Sequence, residues 1–132
     1  MAWTGVESRK LYNNGNCEIT VLLTADASAG TYDIDTYLGD IKGKFLYSMK
    51  VVPGAGAVSP DNTYDLDILD GDSFIILDTD ANSATATVRT LGNATLTQYP
   101  MIQDVCTISV ADMGAAGNQT TVHLVFVDRV MI

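Results

Sequence analysis

Basic residues are scarce in this chain: seven Lys and Arg stand against sixteen Asp and Glu, giving a net charge of −9 over 132 residues. That balance argues against a nucleic-acid or anionic-membrane surface, since each needs clustered Lys and Arg. Histidine occurs once, at His123; glutamate occurs only at Glu7 and Glu18, and cysteine only at Cys17 and Cys106. Gly-x-Ser-x-Gly is absent, Cys and His do not fall at zinc spacing, and the Gly54-Ala-Gly56 run lacks a phosphate-loop lysine. Acyl transfer, zinc chemistry and phosphate binding therefore have no motif to stand on. No apolar run approaches the length of a membrane span, and residues 1–10 hold no signal-like apolar stretch. These features predict a protein made in a reducing cytoplasm, with its two cysteines as free, half-buried strand thiols. A single bridge stays open to them if their strands are neighbours.

What the chain does have is apolar content, at 47%, enough for a core in one domain of this length. Residues 42–77 organise it. Phe45, Tyr47, Met49 and Val51 alternate on one face of a strand, and Tyr64, Leu66 and Ile68 on one face of the next. Asp70-Gly71 suits a two-residue type I′ hairpin to a third strand, and Asn14-Gly15 gives a second hairpin signal near the amino end. Cys17 to Ala25, Val105 to Val110 and Val122 to Val127 alternate as further strands. The last is apolar on both faces, which predicts a central or covered position. Residues 26–40 read as a polar loop pinned by Tyr32, Ile34 and Tyr37, and residues 53–62 as a small-residue projecting loop. Residues 85–91 fit a strand or a short helix, and Tyr99-Pro100 argues against a central strand over residues 96–102. If the strands on either side of the 53–62 loop pair, Lys42, Lys44 and Lys50 would face Asp65 and Asp67. The expected fold class is all-β: an antiparallel β-sandwich, jelly-roll-like, of about seven or eight short strands. The expected domain is residues 1–132, with residues 1–12 as an extended arm.

Candidate chemistry is thin. Seven acidic residues and no basic one fall between Asp61 and Asp80, and Asp78-Thr-Asp80-Ala-Asn82 imitates the start of a calcium loop. The imitation fails at the required Gly, which is Ser83, and at the twelfth position, which is Arg89. His123 sits in an apolar alternating strand without a matched nucleophile, so a hydrogen-bonded structural histidine is the plainer reading. Asn93-Ala-Thr and Asn118-Gln-Thr match a glycosylation sequon but read as chance without a secretory signal. Trp3, Tyr12, Tyr32, Tyr37 and Tyr99 suit either a sugar-stacking platform or ordinary packing.

The run Val51-Val-Pro-Gly-Ala-Gly-Ala-Val-Ser-Pro-Asp-Asn-Thr-Tyr-Asp-Leu-Asp-Ile-Leu-Asp-Gly-Asp72 resembles small β-sandwich virion proteins of tailed bacteriophages. The likeness rests on Leu23-Thr-Ala-Asp26, Gly43-Lys-Phe-Leu-Tyr47, Pro53-Gly54 and Pro60-Asp-Asn-Thr-Tyr-Asp65, over residues 17–77. Thr63 is an extra residue relative to that pattern. The resemblance implies a non-enzymatic capsid decoration or cement protein with no catalytic residues and no cofactor. It implies the major capsid protein as partner, a homo-oligomer with a trimer favoured, and a place on the virion surface. On that reading the arm presents Trp3, Val6, Arg9 and Lys10, and the loop presents Pro53, Gly54, Val58 and Pro60. A neck or tail component of the same virion, or a carbohydrate-binding module, are the alternatives.

Overall fold

Cys17, Ile19, Val21 and Leu23 point inward from strand β2 (Cys17–Thr24), and a one-residue slip would exchange them for Glu18, Thr20 and Leu22. At about 1.5–3 kcal/mol for each large aliphatic side chain buried, that alternation fixes the register of the strand. The structure, a computed structural model, describes residues 3–26, 28–73, 75–79, 82–91 and 99–128. The other strands are β1 (Thr4–Leu11), β3 (Gly30–Asp33), β4 (Phe45–Pro53), β5 (Asp65–Leu69), β6 (Ile75–Thr79), β7 (Val88–Leu91), β8 (Thr107–Ala111) and β9 (Gln119–Val127). One short helix, α1 (Leu38–Ile41), and a 3-10 turn at Gly56–Val58 complete the described elements.

All pairings are antiparallel and form two sheets, β1-β2-β9-β4-β7 and β3-β8-β5-β6. Without β1, the two four-stranded orders are those of a jelly roll, in which successive strands cross between sheets except at the β5–β6 hairpin. The expected all-β, jelly-roll-like sandwich is therefore the fold, with β1 as a ninth strand on one edge. Strand β9 lies at the centre of the larger sheet, as its two apolar faces predicted. Its inward row is Thr120, Val122, Leu124 and Phe126, all fully buried.

Several expectations give way. Tyr47 was expected inward, but the register against β9 shifts between Leu46 and Ser48, so Leu46 is buried and Tyr47 is 40% exposed. Phe45, Leu46 and Tyr47 are apolar in both phases, so alternation alone could not locate the bulge. The β5–β6 hairpin exists, but its left-handed residue is Ser73 (φ 64) instead of Gly71, and the Ser73 amide closes the turn onto the Asp70 carbonyl at 3.1 Å. The polar loop of residues 26–40 holds β3 and α1, with Ile34 buried as a pin. The lysine–aspartate ladder is absent, because β4 and β5 lie in different sheets. Of the expected arm, Thr4–Leu11 does not project: it pairs with β2 along its whole length, and residues 1 and 2 lie outside the described residues.

The segment that carries the virion-protein resemblance is a packing corner. Pro60 and Tyr64 are buried, and the extra residue, Thr63, takes a left-handed conformation (φ 60) with its amide on the Asn82 carbonyl at 2.7 Å. Cys17 and Cys106 are free and fully buried, deeper than expected, and burial pushes the Cys106 thiol up to about 12.

Candidate binding surfaces

The larger sheet turns one broad face outward, and its rows can be read from the strand registers. One row runs Ser8, Thr20, His123, Lys50, Arg89 across β1, β2, β9, β4 and β7. A second runs Val6, Leu22, Thr121, Val52. Val6 is 68% exposed and Leu22 is 36% exposed, so the second row offers apolar surface to solvent. In the first row Lys50 lies directly opposite Arg89 on one side and His123 on the other. Among the described residues neither Lys50 nor Arg89 has an ion-pair partner, whereas Arg9 pairs with Asp40 and Lys44 with Asp128. Facing like charges destabilise an antiparallel pair. In a chain carrying −9, two adjacent unpaired cations are a costly use of scarce charge.

His123 on this face lies 3.1 Å from the Thr20 hydroxyl and 3.3 Å from Glu18, both through its Nδ1. It is hydrogen-bonded and half-buried, as the sequence suggested. Sequence reasoning missed the cationic row, since Lys50 and Arg89 come together beside His123 only through the order β9-β4-β7.

Beneath β1 is a second feature. Glu7 accepts hydrogen bonds from the Tyr32 hydroxyl (2.5 Å) and from the amides of Asp35 (3.1 Å), Thr36 (3.3 Å) and Tyr37 (3.3 Å). Gly5 makes room for the Tyr32 ring and Gly30 for Trp3; a Cβ at either position would collide with the ring. Burial works against the Glu7 charge, but the Tyr32 hydroxyl and the three amides outweigh it and hold the carboxyl below its ordinary 4.5. Burial, and then the bond to Glu7, raise the Tyr32 phenol well above its usual value. Glu7 is thus a latch tying β1 to the chain after β3. A lowered folded pKa means the latch stabilises fully above the unfolded value and is lost as pH falls through the folded one. Denaturant midpoints measured from neutral pH into the acid range should show Glu7→Gln about 1 kcal/mol less stable than wild type at neutrality, with the gap closing in acid. Parallel pH curves for the two proteins would show that the carboxylate is not the latch.

The residues expected to touch partners separate. Val6 and Lys10 are exposed on β1, with Lys10 Nζ 5.1 Å from the centre of the Tyr12 ring. Trp3 turns inward and donates its Nε1 proton to the Ser28 carbonyl at 3.0 Å. Arg9 lies 2.8 Å from Asp40 and 5.1 Å from the Tyr37 ring centre. The loop is tethered: Pro53 pairs with Thr120, the Gly54 amide donates to Gln119 (2.8 Å), Val58 is half-buried and Pro60 buried. Ala55, Gly56 and Ala57 at its tip are exposed, as are Asp61 and Asn62 at its end.

Nor do the aromatics form one platform. Trp3, Tyr32 and Tyr37 pack on the core, while Tyr99 pairs with Tyr47 at 5.3 Å between ring centres and an interplanar angle of 43°. Met101, 43% exposed, pairs with Phe45 in an isolated antiparallel bridge two residues along the chain from Tyr99. Asp26, Asp61 and Asp112 border one cleft, but no three His, Cys, Asp or Glu among the described residues are placed to hold a metal ion. Asn82 of the calcium-loop imitation is buried and donates to backbone carbonyls, and Asp80 lies outside the described residues. Asn118 of the second sequon is buried with its amide on the Met113 carbonyl; the first, at Asn93, lies outside the described residues.

No protein-family model matches the chain, and no curated protein matches it. Among solved structures it is similar to the C-terminal family 22 carbohydrate-binding module of Clostridium thermocellum Xyn10B, at 16% identity. That match covers 98% of this chain and 88% of the other, with a TM-score of 0.40. A likeness of that degree carries no argument about function.

Proposed function

We propose that this jelly roll is a non-enzymatic structural component of a phage virion that binds the outer surface of the capsid. The observation that carries the reading is the outward face of the larger sheet. There Lys50 and Arg89 stand together on β4 and β7 without ion-pair partners among the described residues, and Val6 and Leu22 lie exposed on β1 and β2 of the same face. An acidic protein surface laid against that face would offset the repulsion between the two cations and cover the apolar row. A flat face of this kind suits protein docking better than capture of a small molecule, which favours a concave site. The resemblance over residues 17–77 names the major capsid protein as the partner to test first.

Copy number per particle is the experiment. Quantitative mass spectrometry of purified virions should find this chain at a stoichiometry comparable with the capsid subunits. A handful of copies would assign it to the neck or tail, and its absence from particles would end the virion reading.

The Tyr47–Tyr99 pair favours a second reading, a carbohydrate-binding module, since an exposed ring next to a half-buried one can stack on a sugar face. Glycan binding by wild type that is lost in Tyr47→Ala would support it. No binding to any glycan would remove it.

A further inference from the structure

Among the described residues three of the four sheet edges are short: β3 and β7 have four residues each and β6 has five. The fourth edge, β1, runs for eight residues and is hydrogen-bonded on one side only, to β2. Among the described residues no backbone bond reaches its other side. Short length and charged side chains are how β-proteins keep edges from pairing. β1 has neither protection in its first half: Arg9 and Lys10 lie toward its end, and the Glu7 carboxylate is turned under the strand onto Tyr32. The stretch from Thr4 to Ser8 is an open ladder whose central residue, Val6, is 68% exposed.

We propose that β1 pairs antiparallel with β1 of a second copy about a two-fold axis at Val6, joining the two larger sheets edge to edge. In this register Val6 faces the partner's Val6, and Thr4 faces the partner's Ser8. Val6 already lies opposite Leu22, so the joined sheets carry one apolar row of two leucines flanking two valines. Charge selects the register. A two-fold centred on Glu7, Arg9 or Lys10 sets like charges opposite each other, which destabilises an antiparallel pair. One centred on Ser8 sets Lys10 against Val6, and the Glu7 and Arg9 it would bring together are already held by Tyr32 and Asp40. Centring on Val6 leaves both basic residues beyond the paired stretch. The assembly is a closed, isologous dimer in place of the trimer implied by the resemblance. It stands independently of what the outward face binds.

Cross-linking reads the register directly. Facing residues in an antiparallel pair bring Cβ atoms to about 4.5–5.5 Å, near disulfide reach, and both native cysteines are buried. Val6→Cys should form a covalent dimer under diamide about tenfold faster than Ser8→Cys. The sedimentation mass of wild type should rise with concentration from 14.1 kDa toward twice that value, and Val6→Lys, with two lysines meeting on the axis, should stay monomeric. Val6 is exposed, so these variants leave the core intact. Wild type that remains monomeric at all concentrations, or Ser8→Cys linking as fast as Val6→Cys, overturns the proposal. So would a foreign strand occupying β1 while the free protein stays a monomer.

Discussion

Tyr64→Ala should destabilise the protein by about 3–5 kcal/mol, a large share of the roughly 5–15 kcal/mol that holds a domain of this kind together. Tyr64 is among the largest fully buried side chains, and it enters the core directly after the left-handed Thr63. Its hydroxyl lies 2.8 Å from Thr120 Oγ1, and Thr120 in turn donates its proton to the Val52 carbonyl at 3.3 Å. With that proton committed, Tyr64 is the donor to Thr120. The bond crosses from the β5 entry to β9 and β4, so one side chain joins the two sheets. Tyr64→Phe keeps the ring and loses only the bond, which should cost about 1 kcal/mol. Denaturant midpoints for the two variants separate the terms. A Tyr64→Ala shift no larger than that of Tyr64→Phe would show that the ring does not pack as described.

Asn82→Asp should be comparably severe at neutral pH. Asn82 is 1% exposed, and its Nδ2 donates to the Tyr64 carbonyl (2.8 Å), the Thr79 carbonyl (3.0 Å) and Thr79 Oγ1 (2.9 Å). Thr79 Oγ1 itself donates to the Leu66 carbonyl at 3.0 Å, so the amide ends a buried chain of bonds. An aspartate here would press a carboxylate oxygen against two carbonyl oxygens, at a cost of about 3–5 kcal/mol for an uncompensated buried charge. Burial and these carbonyls would raise the folded pKa of the new acid, so its penalty grows as pH rises above the unfolded value and shrinks below it. Stability curves should therefore show Asn82→Asp recovering relative to wild type in acid. A pH-independent deficit would mean that the site is wetter than its burial indicates.

Both predictions concern residues whose role is non-local, and there the sequence reading ran out. Strand β9 showed as a run apolar on both faces. Alternation located β2, β4, β5 and β8, because each has an apolar phase that no one-residue slip can reproduce, apart from the start of β4. There Phe45, Leu46 and Tyr47 are apolar in either phase, and only pairing with β9 selects Leu46 for the core. Strand β3 was invisible: four residues with a half-buried Tyr32 do not make a period. The Asn14-Gly15 signal marked its hairpin, with Gly15 at φ +88, whereas Asp70-Gly71 marked the place but not the residue that bends. Pro60 and Tyr64 looked like loop and strand chemistry, yet their burial shows that the motif behind the virion resemblance encodes a corner of the fold. Of the residues expected to meet partners, Val6 and Lys10 are exposed on β1. The cationic row was unreadable, since no local pattern places β4 between β7 and β9.

That row is where the functional proposal is most exposed to experiment. Co-sedimentation of purified protein with capsids lacking it should show saturable binding that weakens with salt, and the Lys50→Glu, Arg89→Glu double variant should bind at least about tenfold less tightly. Its denaturant midpoint should match that of wild type, because neither side chain lies in the core. Equal occupancy by the variant and wild type at all salt concentrations would contradict the assignment of this face to docking.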